Sequence, residues 1–405
     1  MTGGIGGSSY EKELECLQPQ KEYKPIDNHE REIRIEKARD LMKHNNIDAL
    51  YLDVSTSLFY FTGLKLWASE RLHGAIIPVD GEIIYICPSF EVEKIRTMLK
   101  IDGHIRTWEE HENPSELVKT SIEEKYGRHA TLAIDIATPF FIFDGIMNSA
   151  HNFQFKNSSQ IIAPCRMHKS DAEISLIQHA MNITLKVQES TAKILYEGIS
   201  TIEVQQFLTD AHLKLGTDGP PIFRIVLFGE PTAYPHGVPY PQTLREGDMV
   251  LIDTVATIDG YHSDITRTYV FGKPTQKQRL IWDLEKKAQA AVFDAARIGA
   301  TAESLDQAAR SVIEEAGFGP GYNVPGLPHR TGHGIGLDVH EWIYIVKGNK
   351  THLAPGMCFS NEPMICIYGE FGVRLEDHVY MTEEGPMWFT QPSFSIDQPF
   401  VLVKK

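Results

Sequence analysis

Hydrophobic spacing divides the chain into helical and strand-like stretches. Over residues 28–46, Ile33, Ile35, Ala38, Leu41 and Met42 recur near helical spacing with charges on the remaining face, which predicts an amphipathic helix. Residues 49–52 form an apolar run that reads as a buried strand. Apolar runs at 74–79 and 83–87 are joined by Asp80-Gly81, a strong hairpin signal. A helix-like and a strand-like segment follow at 114–125 and 130–136. No catalytic constellation stands in this half, which reads as an α/β lid or oligomerisation domain.

A boundary falls near residues 160–170. Ser170 and Glu173 form a capping box, and the helix they open runs to about Tyr196 with Ile174, Ile177, Met181, Thr184 and Val187 near helical spacing. Ser200 and Glu203 open a second helix in the same way, and two more fit 276–297 and 301–316. The intervening chain is β-rich at 222–228, 249–256, 261–270, 357–367 and 372–381. Helices in blocks between antiparallel hairpins predict an α+β fold. The expected organisation is a disordered segment 1–25, an α/β domain 26–165 and a catalytic domain 166–405.

Composition narrows the function. With 405 residues, 42% hydrophobic and 23% charged, the chain is an ordinary globular protein of two-domain length. A net charge of −15 argues against nucleic acid or an anionic membrane as partner. No apolar run reaches the length of a membrane span. Cys16, Cys87, Cys165, Cys358 and Cys366 are scattered without a CxxC pair and read as reduced structural thiols. The glycine-rich start reads as a loose terminus of a cytoplasmic protein, with the stub of a trimmed export signal as the alternative.

Three elements carry candidate chemistry. In the first, the Asp259-Gly260 turn sets Asp253 and Asp264 on adjacent antiparallel strands. Asp253 follows three apolar residues, and a buried carboxylate there needs a cation or several donors. Both residues could instead be ordinary acids beside a turn. In the second, Gly332, Gly334 and Gly336 flank His333, with His329 and His340 nearby, which suggests a binding loop built around imidazoles. The alternative is a surface loop with solvated histidines. In the third, Glu362 and Glu376 sit at equal distances either side of Gly369, so a hairpin there opposes two like charges unless a cation lies between them. Arg374 shares a face with Glu376 and could orient it or meet a substrate anion. A surface ladder in which Arg374 compensates both acids is the alternative.

Taken together, four carboxylates and one imidazole make an oxygen-rich donor set suited to Mn, Co, Fe or Zn, with Mn the first choice. Their charge matches two divalent cations. Two ions about 3.5–4 Å apart can hold a bridging water, lower its pKa and polarise a carbonyl, which is machinery for amide hydrolysis.

The settings DTVATIDGYHSDITRT, HRTGHGIGLDVHE, SNEP and GVRLED resemble those of the pita-bread metallopeptidases, the fold of methionine aminopeptidase, aminopeptidase P, prolidase and creatinase. The resemblance covers about residues 165–390 closely. The first half is similar to the creatinase-type N-terminal domain, a combination that implies the proline-directed branch and a homodimer. It implies that Asp253 chelates one metal, that Asp264 and Glu376 bridge both, and that His333 and Glu362 complete the other site. Glu362 would also shuttle the proton and His340 would steady the tetrahedral intermediate. His236 matches a substrate-contacting, catalytic histidine. His329 and Arg374 match residues near the substrate, the latter at its carboxylate end. The implied enzyme is an Xaa-Pro peptidase of prolidase or aminopeptidase P type, cutting small peptides before proline by a metal-bridging hydroxide.

Val255 stands where the family usually has glycine, and Met364 and Cys366 replace glycine and tyrosine of its Glu-Pro-Gly-Ile-Tyr pattern. These changes leave the five ligands intact and put substrate choice in question. A small-molecule amidohydrolase or lyase, such as an ectoine-derivative hydrolase, is therefore the alternative enzyme. A metal-free binding module is the alternative outside enzymes.

Overall fold

The computed structural model describes residues 3–20 and 23–400. They form two compact units: residues 26–166, and the described residues up to 25 together with 167–400.

The first unit is a mixed six-stranded sheet. Its strands are β1 (Ala49–Asp53), β2 (Gly74–Pro78), β3 (Ile83–Pro88), β4 (Gly103–Trp108), β5 (Thr131–Ile134) and β6 (Gln154–Asn157), in the order β4-β3-β2-β1-β5-β6. β1, β2 and β3 pair antiparallel, while β3–β4, β1–β5 and β5–β6 pair parallel. The predicted helix spans Asn28–His44, opened by the Asp27 carboxylate on the Glu30 amide at 2.9 Å.

In the second unit the helices Asp171–Lys193 and Thr201–Leu215 both begin with complete capping boxes, at Ser170/Glu173 and Ser200/Glu203. Gln276–Ala295 and Ala302–Glu315 supply the other predicted helices. β7 (Phe223–Phe228), β8 (Met249–Val255) and β11 (Ile265–Val270) make one antiparallel sheet in the order β11-β8-β7, with the short hairpin β9 (Thr257–Ile258) and β10 (Tyr261–His262) beyond it. β12 (Gly332–Gly334), β13 (Glu341–Ile345), β14 (Cys358–Asn361), β17 (Asp377–Thr382) and β18 (Gly385–Trp388) form a second sheet in the order β13-β12-β14-β17-β18. β15 (Met364–Ile367) and β16 (Phe371–Arg374) form a separate ribbon. Trp282, Leu305 and Phe359 lie in the apolar core that these elements share.

Three stretches expected as continuous strands are interrupted. The 261–270 run breaks at Ser263-Asp264, 357–367 at Glu362-Pro363 and 372–381 at Leu375-Glu376. Pro363 cannot donate to a ladder, so the chain leaves the β14–β17 sheet there and re-pairs as the β15–β16 ribbon. The return crossing is at Glu376, whose amide donates instead to the Thr266 carbonyl at 3.1 Å.

The chain start differs from the loose terminus expected of a glycine-rich sequence. Tyr10–Cys16 is a helix capped by Ser9. The Tyr10 ring packs edge-on against Phe207 at 5.0 Å, and its hydroxyl donates to Asp210 at 2.5 Å. Backbone hydrogen bonds from Gly6 and Ser8 to Ala192 and Lys193, and the buried Leu17, hold the same segment.

β17 is held from behind by Arg267. Its guanidinium donates to Asp377 Oδ1 at 2.7 Å and to the Glu376 carbonyl at 2.8 Å, in a fully buried pair. Arg267→Met leaves Asp377 charged and unpaired, and is expected to destabilise the second unit by about 3–5 kcal/mol. Chemical denaturation followed by Trp fluorescence checks this; a loss below about 1 kcal/mol contradicts it.

Candidate metal centre

Asp253 lies within β8, and the positive φ values of Asp259 (48°) and Gly260 (81°) make the turn that brings Asp264 back beside it. The β8–β11 register sets Thr266 opposite Asp253, with Asp264 in the gap before β11. Ser263 fills that gap, its hydroxyl meeting Thr184 at 2.6 Å and accepting from the Ala256 amide. β15–β16 pair Met364 with Arg374, and two residues further along the same register Glu362 faces Glu376. Asp264, Glu362 and Glu376 thus stand where ladder pairing lapses.

His333 enters from β12. Its flanking glycines serve close approach: a Cβ would meet Ser360 O at 2.0 Å from Gly332, Trp342 O at 2.1 Å from Gly334 and Glu341 Oε1 at 2.4 Å from Gly336. Glu341 itself is locked in a buried pair with Lys169 at 2.6 Å. Nδ1 of His333 lies 3.0 Å from the Gly334 carbonyl, which turns Nε2 toward the carboxylates. Nε2 is 3.0 Å from Glu362 Oε1 and 3.8 Å from Asp264 Oδ2.

Asp253, Asp264, His333 and Glu376 are between 1 and 5% exposed. One oxygen of Asp253 accepts from Arg374 Nη2 at 2.5 Å and one of Glu376 accepts from Thr266 Oγ1 at 2.6 Å. The other oxygens, Asp253 Oδ1 and Glu376 Oε1, and likewise Asp264 Oδ1, receive no N–H or hydroxyl donor, and the Asp253 and Asp264 carboxylates are close enough to share a proton. Buried orphan oxygens are rare in folded proteins. Three of them beside Nε2 of His333 fit divalent cations of hard to borderline character, which Asp253, Asp264, His333, Glu362 and Glu376 could hold.

The electrostatics agree. Burial, and then the neighbouring carboxylates, push Asp264 and Glu376 well above the ordinary carboxylate range. Burial also raises Asp253, against the opposing pull of Arg374. Glu362 moves the other way: burial would raise it, but the His333 imidazole beside it brings it below its usual value.

The remaining predicted residues lie around this centre. Arg374 is spent on Asp253, the Pro235 carbonyl at 2.9 Å and Thr266. Met364 packs its sulfur 3.7 Å from the same guanidinium, and Val255 is fully buried. The His340 ring lies against His333 at 4.0 Å between centroids, tilted by 53°; partial burial, His333 and Arg330 lower its pKa to about 4. His329 is also lowered, chiefly by burial. His236 is exposed, yet close enough for its charge to act on both His329 and His340. Sequence reasoning missed Thr266, Ser360, Gln289 and His378. Ser360 accepts from the His333 amide at 2.8 Å and donates to Glu362 at 3.0 Å. Gln289 grips the Leu375 carbonyl and Asp377, both at 3.1 Å. Strand alternation from Glu376 could have flagged His378; Gln289 is remote in sequence and left no signal.

The chain matches the model of metallopeptidase family M24 over residues 175–383 and the creatinase/prolidase N-terminal domain over 34–168. It belongs to metallopeptidase family M24, and its second unit has the pita-bread fold. It is 32% identical to the Xaa-Pro dipeptidase of Lactobacillus helveticus over 88% of this chain and 96% of that protein. Among solved structures it resembles dipeptidase PepE from Mycobacterium ulcerans, with 30% identity and a TM-score of 0.84 over 91% of this chain and 97% of that one. It also resembles the prolidase of Thermococcus sibiricus, with 31% identity and a TM-score of 0.80 over 88% and 96%.

Because Asp264 and Glu376 are raised in the folded state, their contribution to stability is full below about pH 4 and is lost as pH rises through their folded values. A divalent cation favours the ionised forms and reverses that loss. The gain in Tm on adding Mn or Co to metal-free protein is therefore expected to be larger near pH 8 than near pH 5.5, roughly. Scanning fluorimetry at both values checks this, and an equal or smaller gain at the higher pH contradicts it.

Proposed function

We propose that this chain is a dinuclear-metal Xaa-Pro peptidase acting on small peptides, with Asp253, Asp264, His333, Glu362 and Glu376 as the metal ligands. The observation that carries the reading is the set of three buried carboxylate oxygens without an N–H or O–H donor from another side chain or the backbone, gathered beside Nε2 of His333. The proline-directed substrate follows the Xaa-Pro dipeptidase and prolidase named among its relatives. Mn is the first choice of metal on the strength of the carboxylate-rich donor set. When bound, the cations supply Lewis acidity and a water that loses its proton near neutral pH.

The chain's own groups do the rest. Glu362 takes the proton and passes it to the leaving nitrogen; the Ser360 hydroxyl on its Oε1 holds the carboxylate for that task. His340 donates to the developing oxyanion. The Arg330 guanidinium, 3.2 Å from its Nδ1, makes that nitrogen the acceptor and leaves the ring proton on Nε2. His236 and His329 line the substrate side. Arg374, its guanidinium taken up by Asp253, Pro235 and Thr266, fixes Asp253 rather than meeting the carboxylate end of the substrate. The five free thiols, four of them buried, support a reducing, cytoplasmic setting. Among the described residues no helix is long and apolar enough to cross a membrane. A homodimer is the proposed assembly.

A panel of Xaa-Pro dipeptides, longer Xaa-Pro peptides and ectoine derivatives, assayed with Mn or Co, tests the substrate. Failure to cleave any proline peptide sinks the reading, and turnover of ectoine derivatives alone replaces it. Asp264→Asn and Glu376→Gln are expected to abolish activity in a folded protein, and a rate above about a tenth of the parent contradicts the ligand assignment. His340→Ala is expected to lower kcat by about 10²–10³ with metal content unchanged; loss of metal from that variant would move His340 out of the oxyanion role.

A further inference from the structure

Beyond Glu376, the first two residues of β17 send their side chains to opposite faces. Asp377 turns to Arg267, Gln289 and Thr390. His378 turns the other way. Its partner across β14 is Ser360, the residue that holds both the His333 backbone and the Glu362 carboxylate. His378 is 0% exposed and its ring lies 5.9 Å from that of His333. Among the described residues no side chain donates to or accepts from either ring nitrogen, and the Asp264 backbone is the one polypeptide group whose hydrogen bonding acts on the ring. A ring held on one side by backbone leaves its other nitrogen for a partner of a different kind.

The missing partner has a position. One nitrogen of His378 belongs to a cluster with donor atoms of Asp264, His333 and Glu376, all within 4.8 Å of one another. Two ligands trans across a single cation, with bonds of about 2.1 Å, lie about 4.2 Å apart. Donors around one such ion lie about 3.4–4.2 Å apart, so a cluster spanning no more than 4.8 Å reaches that arrangement through side-chain movements of about 1 Å. We propose that His378 is a second imidazole ligand of the cation held by His333. This rests on the two-cation reading given above.

The two metal positions then differ in kind. The position at Asp253 is ringed by oxygen donors alone, and the position at His333 offers two imidazoles. Imidazole favours Co, Zn, Ni and Fe, whereas carboxylate oxygen suits Mn. The centre is thus built for selective filling: Co or Zn at the His333 position, Mn tolerated at the other.

Co(II) titrated into the chelator-treated full chain, read by its visible d–d absorption, tests the assignment. Two ions are expected to bind the native protein. In His378→Phe, which keeps the packing and removes the donor, one of the two is expected to bind about 10–100-fold more weakly with shifted bands, and the other to bind unchanged. His378→Gln is expected to behave in the same way. Two ions bound with affinities and spectrum equal to the native protein overturn the ligand role of His378 and leave the two-cation reading standing. No Co(II) bound to the native protein overturns both. Should the variants fail to fold, the native Co(II) protein with ¹⁵N-labelled histidine decides the matter: two contact-shifted imidazoles support His378, and one rules it out.

Discussion

The constraint on which the second unit depends is the repulsion among Asp253, Asp264, Glu362 and Glu376. Four carboxylates cannot stay ionised together out of water unless compensating charge lies among them. The polypeptide supplies one positive side chain, Arg374, and spends it on Asp253. Thr266 and Ser360 each satisfy a single oxygen of another member. What is left over is directional: carboxylate oxygens without donors and imidazole nitrogens that converge. Protons can relieve the repulsion, as the raised values of Asp264 and Glu376 indicate, but only divalent cations relieve it while the carboxylates remain ionised.

Much of the surrounding architecture holds these groups in place against that repulsion. Arg267 and Gln289 clamp the backbone on either side of Glu376. Asn361, next to Glu362, donates to the Gln289 carbonyl at 2.8 Å, so a single helix steadies the chain beside both facing glutamates. The glycines around His333 let its strand lie directly against Ser360 and the Trp342 carbonyl, a fit that any side chain would spoil.

The legible part of the site was local. Asp259-Gly260 is a turn chemistry readable in two letters, and it brought Asp264 back toward Asp253, although the strand partner of Asp253 is Thr266. The symmetric placement of Glu362 and Glu376 about Gly369 gave their opposition. Capping boxes at Ser170 and Ser200 located helix starts to the residue. The interruptions in the strands were not legible, apart from the hint of Pro363, because apolar runs such as 357–367 look continuous whichever sheet each part joins. Partners remote in sequence, such as Lys169 for Glu341 or Arg267 for Asp377, left no signal. Arg374 illustrates the intermediate case. Its face was readable, but its engagement with Asp253 depends on a strand more than a hundred residues away.

The strand crossings at Glu362 and Glu376 have a kinetic consequence. An ion seated there is fastened to two separate sheets at once, through ligands whose backbones belong to neither ladder. An ion held by both glutamates would be tied to side chains that shift whenever the β14–β17 sheet and the β15–β16 ribbon part, so its exchange would follow the breathing of the fold at that junction.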